Sequence, residues 1–411
     1  MKRSIKLAVA AAVALSATSA FATNGDHLIG MGAKARGMGG IGIGMSHGAE
    51  TALSNPALIT SVKGTEVSFG GTIFMPDVET DMAVGEGYNG SDADLSVIPE
   101  VAVAQKSSDN FWWGVGMFGV AGMGTDHRGT SVNDATKAGN YNMVTNLQLM
   151  QFAVPLAYSS NGVSIGIAPV LQYGSLDIVY DSNSAATGGS TTQGVAQDFG
   201  MGYNIGLAYE TSGLTLGLSY KSAIDMEYKG QLSRATRDFN YKAATGFLDD
   251  HLEQPAEIGV GASYTTDGHT FAVDFKQIQW GDAKGYKDFG WEDQNVIIVG
   301  YQYAQDNWAL RAGFNHGSSP IKEQNGATYD GGVANMFNLN GFPGIVEDHY
   351  TIGGTYAFSK MTSVDLAYVY SPEVTETYNI AGYASADARV SNTISTKHSQ
   401  DAVSLQLNFN F

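Results

Sequence analysis

Three stretches of this chain place residue types at spacings that can do chemistry. Gly162-Val163-Ser164-Ile165-Gly166 matches the G-x-S-x-G pattern of a serine nucleophile. That chemistry needs the serine on a sharp strand-to-helix turn with a histidine base beside it. Ser164 falls instead within an alternating apolar and polar stretch, and none of the eight His stands in a context that suggests a base. Gly37-Met38-Gly39-Gly40-Ile41-Gly42 matches G-x-G-x-x-G. That pattern holds a pyrophosphate only between a buried strand and a helix, and neither flanks it here, so close backbone packing is the better reading. Acidic groups at Asp77, Glu79 and Asp81, and at Asp249, Asp250 and Glu253, could bind Ca²⁺ weakly, but solvated loop charge is the preferred reading. With no Cys and no His pair at metal-ligand spacing, the expectation is no catalytic residue, no metal and no cofactor.

Three cations are of more interest: Lys221, Lys276 and Arg311. Their meaning depends on the elements that carry them. The chain has 411 residues, 15% of them charged, and 52 Gly, with few Pro and many Tyr and Phe, which favours many short strands. Met1 to Ala22 reads as a secretory signal: Lys2, Arg3 and Lys6 begin it, Leu7 to Leu15 is apolar, and Ala20-Phe21-Ala22 supplies the small residues of a cleavage site. No later stretch is apolar for long enough to be a membrane helix. The acidic balance, −18 before the basic leader is removed, argues against a nucleic-acid partner.

Period-two alternation recurs along the rest. At the C-terminus Val403, Leu405, Leu407, Phe409 and Phe411 alternate with Ser404, Gln406, Asn408 and Asn410. Similar stretches predict fourteen strands, near 65–74, 97–106, 111–121, 146–159, 162–177, 198–210, 213–226, 254–265, 269–282, 294–305, 306–317, 348–358, 361–372 and 400–411. Short turns and long polar connections alternate between them, which single-chain outer-membrane barrels require and soluble Greek-key folds do not. The reading is therefore all-β: a 14-stranded antiparallel transmembrane β-barrel, apolar residues to lipid and small polar ones to the lumen. Trp112, Tyr158, Tyr209, Trp308 and Phe358 are expected in an aromatic girdle at the short-turn end. Residues 269–282 break the pattern: Phe271, Val273 and Phe275 share one parity, Ile278 and Trp280 the other. A β-bulge near Lys276 is the expected cause. Lys221, Lys276 and Arg311 have lumen parity, because a charge facing lipid costs several kcal/mol. Each is either a ligand-carboxylate anchor or a structural partner of Asp274, Asp365 or Glu50; the structural role is favoured for Arg311.

Residues 23–62 lack lipid-facing alternation. A short helical stretch is expected around Gly48–Leu53, followed by Asn55-Pro56, a cap and a first helical position. They lie either in the periplasm or inside the lumen, which fourteen strands would otherwise leave open.

Asn24-Gly25, Gly37-Met38-Gly39-Gly40 and Ser54-Asn55-Pro56-Ala57-Leu58-Ile59-Thr60 resemble the N-terminal plug of the FadL/TodX family, outer-membrane channels for long-chain fatty acids and aromatic hydrocarbons. Leu310-Arg311-Ala312-Gly313-Phe314 followed by Ser319-Pro320 resembles its late-strand signature. The resemblance implies three parts: a cleaved signal over 1–22, a plug (hatch) over 23–62 marked by Asn24, Gly25, Asn55, Pro56 and Ala57, and a barrel over 63–411. It also implies an apolar pocket and a kink in an early strand that opens the wall sideways; Gly114, Gly116, Gly119 and Gly122 stand in the third strand.

The expected function is passive uptake of long-chain fatty acids or similar hydrophobic molecules across the bacterial outer membrane, with lateral release. The alternatives are an aromatic hydrocarbon (toluene-type) channel, a general porin and, on Ser164, a lipase. Phe118, Met123, Phe337 and Phe342 are expected as an apolar landing site on outer loops. Expected partners are the hydrophobic substrate, outer-membrane lipid and lipopolysaccharide, and the barrel assembly machinery, with the barrel monomeric.

Overall fold

The structure, a computed structural model, describes residues 23–128, 143–182, 189–191, 194–385 and 390–411. The signal reading at Met1 to Ala22 lies outside them. Fourteen strands form one ring: β1 Thr65–Ala83, β2 Ser96–Lys106, β3 Phe111–Met123, β4 Val144–Ala153 resumed at Leu156–Ser160, β5 Val163–Ser182, β6 Ala196–Thr211 and β7 Leu214–Lys221. It continues with β8 Glu257–Thr266, β9 His269–Ile278, β10 Gln294–Gln305, β11 Trp308–Gly317, β12 Asp348–Ala357, β13 Thr362–Asn379 and β14 Val390–Asn410. Each pairs antiparallel with its chain neighbours, and β14 returns to β1, Leu405 opposite Gly71 and Asn410 opposite Glu66. Closure pairs the strands around the ring and so limits the sheet edge left facing lipid, where an unpaired peptide group costs several kcal/mol.

Turn chemistry explains the short connections. Asn161-Gly162, Ser212-Gly213 and Asp267-Gly268 all hold both residues at positive φ, between 46° and 85°, as two-residue hairpin turns need. The first two lie one residue further along than alternation suggested. Parity also follows the expectation: Val403, Leu405 and Leu407 face out, while Ser404, Gln406 and Asn408 are buried.

Three strand expectations are corrected. Strand β9 has no bulge at Lys276: its register runs unshifted from His269 to Ile278 against both β8 and β10. It ends at Ile278, which points inward with Asp274 and Lys276, and Trp280 lies in the following connection, fully buried. The parity break reports an apolar lumen at the outer end, and no extra residue. Strand β7 stops at Lys221, after which Ile224, Met226 and Tyr228 turn in over the lumen. Among the girdle residues Tyr158, Tyr209 and Phe358 are exposed on the outer face, but Trp112 is buried and its Nε1 donates to Val62 O at 2.7 Å.

Most of residues 23–62 are buried, and they bond to inward-facing residues of the wall such as Thr72, Asp274, Thr351 and Gln406. They begin with a hairpin, Thr23–Asn24 against His27–Leu28, then α1 Gly32–Arg36 and two 3-10 turns, Gly48–Leu53 and Pro56–Ser61. Asn55 caps the second turn, accepting from Ala57 N at 3.1 Å, and donates to Ile43 O at 2.9 Å and to Leu207 O of β6 at 3.2 Å. Above the ring, α2 Leu232–Asp238, α3 Tyr329–Met336 with the π-turn Phe337–Gly341, and α4 Ala381–Ala384 cover the long-connection end.

Candidate functional site

The inner segment is bonded to the wall at named points. Asp274 on β9 accepts from three successive backbone N–H groups, Gly42 and Ile43 at 2.8 Å and Gly44 at 3.0 Å. The glycine-rich stretch that resembled a nucleotide loop thus leads into a nest for a wall carboxylate. Arg36 is buried and donates to Thr72 Oγ1 of β1 at 2.7 Å and to Glu100 of β2. Lys34 lies 3.2 Å from Glu50 and 3.9 Å from Asp365 of β13.

Of the three expected lumen cations, Lys221 and Lys276 converge on one carboxylate, Glu257, at 3.2 and 3.5 Å. His27 Nδ1 approaches the same group at 2.9 Å. Arg311 lies elsewhere, near the short-turn end. Its Nε donates to Gln302 Oε1 at 2.8 Å, its Nη1 to Thr355 Oγ1 at 2.7 Å, and Asp365 is 3.6 Å away. Glu257, absent from the expected residues, is the hub of the first group; a charge inside a spanning strand needs a partner, and that was its signal.

Above the hairpin the lumen is apolar and aromatic. Gly25, at φ +68°, tucks beneath Trp280, whose ring centroid is 5.0 Å from that of Trp291; Tyr286 stands 4.8 Å from Trp291. Phe289 stacks on Tyr241 at 5.2 Å and lies 5.6 Å from Phe337. Tyr286, Phe289, Trp291, Met123, Leu232, Leu252, Phe342 and Asn338 enclose a void of about 20 Å³, so a ligand must displace side chains to enter. Three polar lining groups are bonded: Tyr286 Oη donates to Asp26, Trp291 Nε1 to Asn338 Oδ1 at 3.0 Å, and Asn338 Nδ2 to Phe289 O at 2.8 Å. Burial pushes the Asp26 carboxyl above its ordinary range.

The expected landing site is corrected in place. Phe118 and Phe337 are 1% exposed, Met123 is 7% exposed, and Phe342 packs partly buried against the same cluster. These side chains line the lumen, because an apolar patch on a water-facing loop is costly and an inward fold removes it.

The wall has a step. The ladder between β2 and β3 stops at the pair Glu100–Phe118. Strand β3 then shifts register between Gly119 and Ala121 and bends inward, where Ala121 pairs with His27 and Gly122 N donates to Asp26 O at 3.1 Å. Outside this bend lies a recess of about 250 Å³ bordered by Val97, Ile98, Pro99, Gln148, Tyr173 and Asp177.

Glu50 predicts a pH effect. It is buried, 2.7 Å from Gln406 Nε2, and burial lifts its pKa to about 7 against the pull of Lys34. The folded chain therefore keeps a proton that the unfolded chain loses near pH 4.5, so this contribution to stability is present at low pH and is lost as pH rises to 7. The temperature at which the folded form disappears on gels should be higher at pH 5.5 than at pH 8, and Glu50→Gln should shrink the difference. An unchanged difference would refute this.

A model of the family described as outer membrane protein transport protein (OMPP1/FadL/TodX) matches residues 7–411. The 47 kDa outer membrane protein of Pasteurella multocida is 23% identical over 377 residues, covering 80% of this chain and 84% of that one. Among solved structures, a Pseudomonas aeruginosa FadL homologue superposes with a TM-score of 0.70 at 16% identity, over 94% of this chain and 100% of that one. The P. putida toluene transporter TodX gives 0.67 at 18%, over 93% and 99%. Matched along nearly its whole length, and closed as a fourteen-stranded outer-membrane barrel, the chain belongs to the OMPP1/FadL/TodX family of outer-membrane transport proteins for hydrophobic compounds.

Proposed function

We propose that this barrel takes up uncharged hydrophobic molecules, monoaromatic hydrocarbons among them, through the aromatic chamber, with residues 23–62 as its plug and the step between β2 and β3 as a sideways exit. The chamber carries this reading. Its rings offer π faces, and the polar groups among its lining residues are already bonded, Tyr286 to Asp26, Trp291 to Asn338 and Asn338 to Phe289. A carboxylate there would lose its water against lining residues whose donors are already engaged. The relation to the toluene transporter TodX fits the same reading.

A second reading, uptake of long-chain fatty acids, is favoured by one observation: two ammonium groups, Lys221 and Lys276, share the single carboxylate of Glu257. A fatty-acid carboxylate could become their second partner. Equilibrium binding to the purified Lys221→Ala, Lys276→Ala double variant separates the readings. The first expects toluene affinity to stay at the wild-type value. A loss of palmitate affinity of about tenfold or more, with wild-type palmitate binding saturable, would move the assignment to fatty acids.

A further inference from the structure

We propose that Ile98 closes the step between β2 and β3 and, seated against Gly119, sets the size of the molecules that leave through the wall. The inference rests on the sideways exit above and names the residue that governs it. Strand β2 keeps its pairing with β1 through Ser96, opposite Phe74, but has no ladder with β3 beyond Glu100. Side-chain packing therefore closes the wall there in place of a hydrogen-bonded ladder. A closure of that kind yields to a rotamer change, whereas a ladder must be broken bond by bond.

Ile98 provides the packing. It is 1% exposed and belongs to a small apolar cluster with Leu28 and Ile29 of the inner segment and Phe74, Val369 and Ala402 of the wall, separate from the main aromatic cluster. Its Cγ2 methyl occupies the place a side chain at position 119 would need: a Cβ built on Gly119 would stand 2.6 Å from it. Gly119 is thus the seat that lets the isoleucine fill the step. On its outer side Ile98 borders the 250 Å³ recess, whose rim combines apolar Val97 and Tyr173 with polar Gln148 and Asp177. On β5 the residues of outward parity change from exposed Ile165, Ile167 and Leu171 to Ser175, buried beneath the recess, and half-buried Asp177, so the recess lies where the apolar belt ends. A molecule passing Ile98 would leave an apolar cluster and arrive at the boundary between lipid chains and headgroups.

The chain has no cysteine, and a Cβ at position 119 would lie 3.8 Å from that of Ile98, the usual separation in a disulfide. The test uses the full-length double variant Ile98→Cys, Gly119→Cys, with Ile98→Ala and Ile98→Trp alongside. Folding is checked by gel mobility, toluene binding on purified protein, and uptake of labelled toluene and naphthalene in cells. The oxidised double variant should bind toluene as wild type does, yet take it up about tenfold more slowly, with recovery on reduction by dithiothreitol. Ile98→Ala should raise the naphthalene-to-toluene uptake ratio by about tenfold, and Ile98→Trp should lower it. Uptake unchanged by the disulfide would overturn both the exit at this step and the role of Ile98. A disulfide that blocks uptake, with the ratio unchanged in both single variants, would overturn Ile98 as the size-setting residue and leave the sideways exit standing. Loss of toluene binding in the wild-type protein itself would instead strike at the chamber.

Discussion

Asp274→Ala should convert a barrel of low conductance into one that passes ions freely in planar bilayers. Asp274 is fully buried and accepts from the backbone N–H groups of Gly42, Ile43 and Gly44 at 2.8–3.0 Å. Removing the carboxylate leaves three buried donors without their acceptor, each at a cost of about 1–3 kcal/mol. The total is enough to shift a seated segment by a factor of about 100 or more toward an unseated one. The same loop is also held by Ser263 Oγ donating to Gly44 O at 2.8 Å, by Asn55 on Ile43 O, and at Gly39 by Thr351 and Asn315, so Asp274 supplies three of its bonds and not all of them. Asp274→Asn keeps one acceptor oxygen and should fall between. Single-channel recording with limited proteolysis of residues 23–62 reads the outcome. Conductance equal to wild type in Asp274→Ala would show that the nest does not hold the segment.

Arg36→Ala should be the other severe variant, expressed through stability. Arg36 on α1 is the buried partner of Glu100, and it also donates to Thr72. Glu100 stands at the last rung of the β2–β3 ladder. Removing one member of a buried ion pair strands the other charge and costs about 3–5 kcal/mol, whereas replacing both with uncharged groups is often neutral. Arg36→Ala should therefore lower the temperature at which the folded form is lost on gels. Arg36→Met combined with Glu100→Gln should recover most of the loss. If the double variant is as unstable as the single one, the pair's charge is not what matters and packing around α1 explains the loss.

Much of the architecture was legible because lipid outside and lumen inside impose one parity on every strand. Leu405 and Gln406 lie on opposite faces of β14 for that reason. The turn at Asp267-Gly268 was legible because these residues accept positive φ, whereas Asn161-Gly162 and Ser212-Gly213 were each placed one residue early. The rule failed where the lumen itself is apolar. Ile278 was read as a change of face when it points inward like Lys276, and Phe118 and Phe337 were assigned to the loop surface although both are buried in the interior. Trp112 has the right residue type for a girdle but lies on the inward parity, bonded to Val62.

The cations were found, and their parity was right, but their partners were only partly legible. Arg311 with Asp365 was among the pairs considered. Glu257 was not, because its nearness to Lys221 and His27 arises from strand pairing and from the return of the N-terminal hairpin into the ring, contacts of 36 and 230 residues' separation that no local pattern encodes. The aromatic chamber has the same origin: Trp280, Tyr286, Phe289 and Trp291 are close in sequence, but Phe337, Phe342 and Met123 reach them only through loops that fold inward.

The most direct measurement is saturation binding of radiolabelled toluene to the purified wild-type protein, with palmitate as competitor at neutral pH. Saturable toluene binding that palmitate leaves in place is the predicted result, because the chamber offers rings and its polar lining groups are already bonded. Palmitate that binds saturably and displaces toluene, or toluene binding that never saturates, would contradict the account.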